Sequence, residues 1–401
     1  MFRFFIPLLS VSFLLIPSIS ISDPVRRGDF VWEGTKIIDF LGVEINVVFP
    51  DGATEIPDYF FMSCKTLESV VIPEGVKTIG RGTFWGCESL KSVVIPQSVT
   101  KIEDEAFMWC KSLTSVVIPK GVKVIGRSAF EGCKSLTSLE IPEGVKIIGG
   151  SAFLGCKSLT SVKIPESVTK IGGMAFAGCS SIKSFVIPKG VTVIGYGTFE
   201  GCDSLTSITI PEGVTKIGEQ AFWDCKALKS ITIPQKVKVI KKNAFTECDS
   251  LQSVEIPEGV TVIGEFAFKE CGSLTEVVIP DSVKKIGGGA FALCPALKKW
   301  NISSAHPNFK TEGPALLTKD GKKLVAYLSS AKEYQIPEGV EVIGENAFDG
   351  CGSLTSLVIP ESVTEIGEMA FEDCPNLTIC APEGSEAERF AKRHEIPFKA
   401  K

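Results

Sequence analysis

Thirteen of the chain's 14 cysteines recur on a 23-residue step. Cys64, Cys87, Cys110, Cys133, Cys156, Cys179, Cys202, Cys225, Cys248, Cys271 and Cys294 keep it without a break, and Cys351 and Cys374 resume it after one interruption. Thiols in that number could bridge as disulfides, ligate metal or act as nucleophiles. Zinc sites want close pairs such as C-x-x-C, and there is none. A thiolate–imidazole pair needs a histidine, and the chain has two, His306 and His394. Both read as satisfied surface side chains. No D-x-D-x-D-G loop and no glycine-rich phosphate loop occurs. The expectation is therefore no catalytic residue, no metal and no cofactor.

A constant step instead implies a stacked structural unit. Successive thiols would then stand one strand apart, about 4.8 Å, and point the same way. Parallel Cβ directions disfavour the near-perpendicular S–S torsion. A ladder of buried, unreactive free thiols is expected, with several disulfides as the alternative. Cys380 lies six residues past Cys374, off the ladder, and is the cysteine expected to react or pair.

Other columns keep the same step. Isoleucine (Ile56 to Ile366), phenylalanine (Phe61 to Phe371) and proline (Pro50 to Pro360) are each present in all 13 units. Leucine fills its column in 12, with Ile182 in the other. The stretch L-x-x-V-x-I-P, as at Leu113 to Pro119, alternates like a short strand with one buried face. The proline lacks an N–H and ends the ladder. Val122 and Ile125 suggest a second, shorter extended segment, and A-F-x-x-C turns the chain back. The glycines after the isoleucine (Gly80, Gly126, Gly149, Gly172) suggest a bend with φ > 0, although Glu103 and Lys241 share their column.

The motif L-x-x-V-x-I-P-x-x-V-x-x-I-G-x-x-A-F-x-x-C resembles the BspA-like leucine-rich repeat family of secreted and surface proteins, over about Val47 to Cys380. The resemblance implies a curved solenoid with a parallel β-sheet on one face, built of 13 repeats with one hairpin insert and a C-terminal capping helix. In such repeats the cysteine column is commonly Asn or Cys, a small polar group that satisfies the turn's backbone. Residues 1–22 read as a signal peptide, with Arg3 ahead of an apolar run and small residues near Ser20 and Ser22. An N-terminal cap (23–46), repeats (47–302), an insert (303–333), further repeats (334–380) and a cap helix with tail (381–401) follow. In the insert, Lys319-Asp320-Gly321 between apolar runs signals a hairpin. Ser385 is the expected N-cap of a helix whose apolar stripe is Ala387, Phe390 and Ala391.

With 44% hydrophobic and 22% charged residues the chain is ordered, and a net charge of −5 argues against a nucleic-acid partner. Function should lie on outward positions. One row is nearly all serine, from Ser69 to Ser253. The next varies: Val71, Val94, Val117, Glu140, Lys163, Val186, Thr209, Thr232, Glu255 and Val278. A second candidate patch is Trp85, Met108 and Trp109, where other units have Glu131, Ala177 or Gly132; Tyr196, Trp223 and Phe266 are similar departures. Such a face could bind an extracellular-matrix or host surface protein. A structural scaffold or spacer in a surface assembly is the alternative. No membrane span is expected in the mature chain, which reads as secreted or held at the cell surface.

Overall fold

Each 23-residue unit divides into three stretches, each shaped for its own reason. In Ser138–Glu140, Leu139 is buried while Ser138 and Glu140 face solvent. Ile141 continues the inward row, and Pro142 ends the strand. After a turn closed by Val145 N–H donating to the Pro142 carbonyl, Ile147–Ile148 forms a two-residue strand with Ile148 inward. The third stretch is all turns, with Ala152, Phe153 and Cys156 buried. Its backbone bonds reach the next unit, as in Phe153 N–H to the Ala175 carbonyl at 2.9 Å.

A computed structural model describes residues 30–33, 36–40, 45–328 and 331–401. Its units stack in register on the 23-residue step, Ser138 against Ser161 and Ile148 against Ile171. The result is a leucine-rich solenoid with two parallel ladders. The first is built from three-residue strands such as Ser138–Glu140. The second is built from two-residue strands such as Ile147–Ile148. Among the described residues no helix is long and apolar enough to cross a membrane. The expected leader, residues 1–22, lies outside the described residues.

Between the ladders and the turns runs a stack of phenylalanine rings. From Phe61 to Phe291, successive rings lie 5.1–6.0 Å apart and nearly parallel. Burying each contributes roughly 1.5–3 kcal/mol. All 14 cysteines are free, as expected of a thiol ladder. From Cys87 to Cys294 each thiol in the column has a specific partner: Cys110 Sγ donates to the Phe84 carbonyl at 3.2 Å, and the pattern repeats through Cys294 onto Phe268. The column is thus cysteine because one small donor must reach a carbonyl 26 residues back. Cys380 stands half-buried in the strand Thr378–Ala381, 3.9 Å from the Ser356 hydroxyl.

Three expectations are corrected. Gly80, Gly126, Gly149 and Gly172 do not have positive φ. They are glycine because rungs touch there: a Cβ on Gly149 would stand 2.6 Å from the Arg127 nitrogen. Glu103 and Lys241 are accommodated singly, each with glycine on the rung before and after. Positive φ falls instead on other turn columns, one holding Ser128, Ser151 and Phe266, another Gly132, Trp109 and Asp224, and a third Gly75, Gly144 and Gly259. Second, residues 115–117 do not form a strand although Val116 is buried. The backbone bonds bracketing this rung, Thr114 to Lys91 and Thr137 to Thr114, are long, at 3.3 and 3.2 Å. Third, His306 is fully buried rather than on the surface. Its Nδ1 accepts from the Asn308 and Phe309 amides, which leaves Nε2 to donate to the Pro280 carbonyl at 3.0 Å. His394 is exposed, and its ring stacks on Phe390.

The stack is not uniform. Both ladders are interrupted between the rungs of Ile171 and Ile194. The Phe176–Phe199 spacing there is the widest of the column, 6.0 Å. Phe185 explains the opening. It stands where the other units from Val70 to Val277 have Val, Ile or Leu, and its ring meets both Phe176 (4.9 Å) and Phe199 (4.7 Å) edge-on. A larger side chain between two rungs wedges them apart.

The insert is a splice. Phe309–Glu312, Ala315–Thr318 and Lys323–Tyr327 form an antiparallel meander, and the last strand pairs in parallel with Val342–Ile343 of the second ladder. Ala315–Thr318 is buried on both faces. Leu316 joins the core of the preceding units, while Ala315 and Leu317 join that of the following ones. Trp300, closing the preceding block, donates its indole N–H to the Pro314 carbonyl at 3.0 Å. The ends are covered. Phe30–Glu33 and Lys36–Phe40 pair antiparallel over the first rungs, with Phe30 and Ile37 buried. At the other end the helix Glu386–Arg393, N-capped by Ser385, buries Ala387, Phe390 and Ala391, and Phe398–Ala400 adds a last parallel strand.

Candidate interaction surfaces

The first ladder presents the outward rows foreseen in the sequence. The preceding threonine column is tied down: Thr137 and Thr160 hydroxyls donate to carbonyls one rung back at 3.4 and 3.0 Å. In the serine row, Ser69 is buried and donates to Asn46 Oδ1 at 2.6 Å, while Ser115 to Ser253 are exposed. In the variable row Val71 and Val94 are half-buried. Val117, Val186 and Val278 are 69%, 64% and 52% exposed. Such aliphatic exposure leaves apolar area for a partner to cover. Thr209, Thr232 and Glu255 are exposed in the same row. Glu140 and Lys163 stand opposite each other and form an ion pair at 2.9 Å. Both are open to solvent, so the pair adds little to stability, and it already satisfies both charges.

This row ends at a shallow groove of about 460 Å³ lined by Val278, Asp281, Trp300, Asn301, Ile302 and Ser303. It forms where Ser303 replaces the column's proline and the chain leaves for the insert.

Trp85, Met108 and Trp109 lie elsewhere, on the turn flank beside the phenylalanine stack. The structure therefore gives two separate patches, not one surface. Trp85 is 37% and Trp109 42% exposed, with Met108 half-buried. Tyr59 and Met62 extend this patch, and the Tyr59 and Trp85 rings are 6.5 Å apart. Sequence reasoning missed both, although Met62 shares the column of Trp85 and Tyr59 that of Phe266. Many of these bulky groups cover a neighbour. Tyr59 lies over Gly82, Trp109 over Gly132, Met174 over Gly197, Phe266 over Gly289 and Leu293 over Gly350. In every pair the large residue has positive φ and the next rung's residue in that column is glycine; at Gly82, Gly289 and Gly350 a Cβ would collide with the covering side chain. Trp223 likewise donates its indole N–H to Glu247 at 2.9 Å.

Burial keeps the column thiols from Cys87 to Cys271 protonated well past the ordinary range. Burial pushes Cys87 up to about 12 and Cys374 to about 11 from an ordinary value of 9.0. On the same flank, burial raises Glu200, Asp249, Glu270 and Asp349, the last held by Lys269 at 3.2 Å. Among the described residues no group of His, Cys, Asp and Glu could hold a metal ion.

The profile of the BspA-type leucine-rich repeat region matches residues 45–136, 100–229, 215–312 and 318–386. The chain belongs to that family. Its fold is similar to a leucine-rich repeat protein of Bacteroides ovatus, with 28% identity, 94% of this chain and 97% of the other covered, and a TM-score of 0.62. It is also similar to a leucine-rich cell surface protein of Faecalibacterium prausnitzii, at 28% identity, 91% and 96% coverage and a TM-score of 0.56. The pneumococcal vaccine antigen PcpA shares the fold alone, at 17% identity, 95% and 99% coverage and a TM-score of 0.51. No curated protein matches the chain significantly.

Proposed function

We propose that the chain is a secreted or surface-associated, non-enzymatic solenoid that binds a host or neighbouring-cell protein through its first ladder. The observation that carries this reading is the exposed variable row. It recurs on each 23-residue step beside the serine row, and Val117, Val186 and Val278 in it are mostly bare. An extended matrix or surface protein could lie along it and bury these groups at little side-chain entropy cost. The aromatic patch around Trp85 and Trp109 is the secondary contact, since part of its area already covers the neighbouring rung. The family and its cell-surface relative support an exported location, as does the signal-like sequence of residues 1–22.

The test is binding of the full chain to immobilised matrix proteins and intact host cells, with Val117→Lys/Val186→Lys as the variant. Both sites are exposed, so the fold should survive. Affinity is expected to fall by at least about tenfold, as for removal of a central contact. Equal binding by variant and wild type, or none by either, would favour the scaffold or spacer reading.

A further inference from the structure

On the second ladder, the two columns preceding each inward isoleucine face solvent. We infer that they form a binding stripe for a linear anionic polysaccharide. Five successive rungs present Lys77, Lys101, Lys123, Lys146 and Lys170, one each and all exposed. The stripe continues at Lys216 and Lys238 and ends at Lys284 and Lys285. No carboxylate occupies either column between Lys77 and Lys285. Among the described residues only Lys101 of this stripe has a carboxylate partner, Glu103. A chain of net charge −5 thus keeps two adjacent columns free of carboxylates over ten rungs, roughly 43 Å at the usual strand spacing.

The ladder does not require these lysines. Where the first of the two columns holds threonine, its hydroxyl satisfies the rung below: Thr100 donates to the Lys77 carbonyl at 3.2 Å and Thr215 to the Thr192 carbonyl at 3.2 Å. Lysine at that position forgoes this bond. It also places like charges on neighbouring rungs, where they repel. A polyanion laid along the row removes that repulsion and releases its own counterions.

The chemistry favours a sugar chain over other polyanions. The two columns hold only Lys, Thr, Val and Ile between Lys77 and Lys285. No aromatic or arginine is there to stack on bases, as single-strand binders use. The protein's net negative charge opposes a bulky duplex or an anionic bilayer. A thin chain lies within the roughly 10 Å over which the stripe acts before salt screens it. This surface is separate from the first ladder, and its test can fail without touching the protein-binding reading.

The test titrates the full chain with a heparin oligosaccharide at several salt concentrations. The variant is Lys77→Thr/Lys123→Thr/Lys146→Thr, which installs the residue the column already accepts. The control is Lys65→Ser/Lys134→Ser/Lys157→Ser on the turn flank, in the column where Ser180 occurs naturally. The stripe variant should lose at least about tenfold in affinity and its salt slope should fall by roughly two to three, with the control within about twofold of wild type. Lysine acetylation footprinting on the unmodified protein should show heparin protecting Lys123, Lys146 and Lys170 but not Lys134, which keeps the question open to decision if the variant misfolds. Equal losses in variant and control would overturn the proposal. So would absence of the protection, or tighter binding to single-stranded DNA or to phosphatidylserine vesicles than to heparin.

Discussion

At the scale of single residues, the thiol column couples the fold to alkaline pH. Nine buried thiols, from Cys87 to Cys271, hold their protons well past the ordinary range. The unfolded chain gives up those protons above about pH 9, where the native state cannot. Stability is therefore intact below pH 9 and declines as pH rises towards 11–12, the values of Cys374 and Cys87. Each such thiol removes about 1.4 kcal/mol per pH unit in that window. The column together can outweigh a typical stability of 5–15 kcal/mol soon after pH 9 is passed. Thermal melts at stepped pH should show Tm steady to pH 9 and collapsing near pH 10, with thiol reactivity appearing in the same transition. A Tm unchanged at pH 10.5 would contradict the buried ladder. The identity of this column was legible in the sequence because its period was visible. Its bonding partner was not, since a carbonyl 26 residues away has no sequence signature.

At the scale of the turn, the rule is that a large apolar residue in a left-handed position lies over a glycine one rung later. The Phe266 ring would stand 2.6 Å from a Cβ on Gly289, which itself has φ of 61°. Ser128 and Ser151 show that two small residues in succession also fit this column. Gly289→Ser should therefore cost about 1–2 kcal/mol in the native sequence, from left-handed strain and displacement of the ring. In a Phe266→Ser background it should cost clearly less, giving a coupling of about 1 kcal/mol in a double-mutant cycle by chemical denaturation. Additive effects would remove the rule. The pairing could have been found in the sequence by comparing residues 23 apart in the turn columns. The glycine after each isoleucine misled instead, because sequence alone does not separate a glycine needed for φ from one needed for close approach.

At the scale of the whole molecule, stability is close to a sum of rung and interface terms, so the weakest interface matters more than the average. That interface lies beside Phe185, where both ladders and the ring stack open together. In Phe185→Val the neighbouring rungs should close, and amides of Ser184–Val186 and Val193–Ile194 should exchange more slowly with deuterium. The stability loss should fall short of the 3–5 kcal/mol usual for emptying a phenylalanine site. Faster exchange with the full loss would mean the ring holds the rungs together rather than apart. The overall architecture, the splice position and the capping helix were all readable from period, hairpin and capping signals. The wedge was not, because Phe185 keeps the hydrophobic pattern and differs only in volume. The lysine stripe was hidden for another reason: net charge averages over faces that the fold keeps apart.

The splice also bears on how the chain assembles. As residues emerge from the N-terminal end, each new unit can settle on the last and cover its open side, so growth proceeds one rung at a time. That mode stops at Trp300. The side left open by Phe291 waits for Leu316, Val325 and Leu328, and the strands bearing them also carry Leu317, Leu324 and Tyr327, which have no cover until the rungs from Ile336 onward arrive. Incremental growth thus gives way there to a concerted step, and an arrested or truncated chain ending inside the insert would display two unfinished surfaces at once.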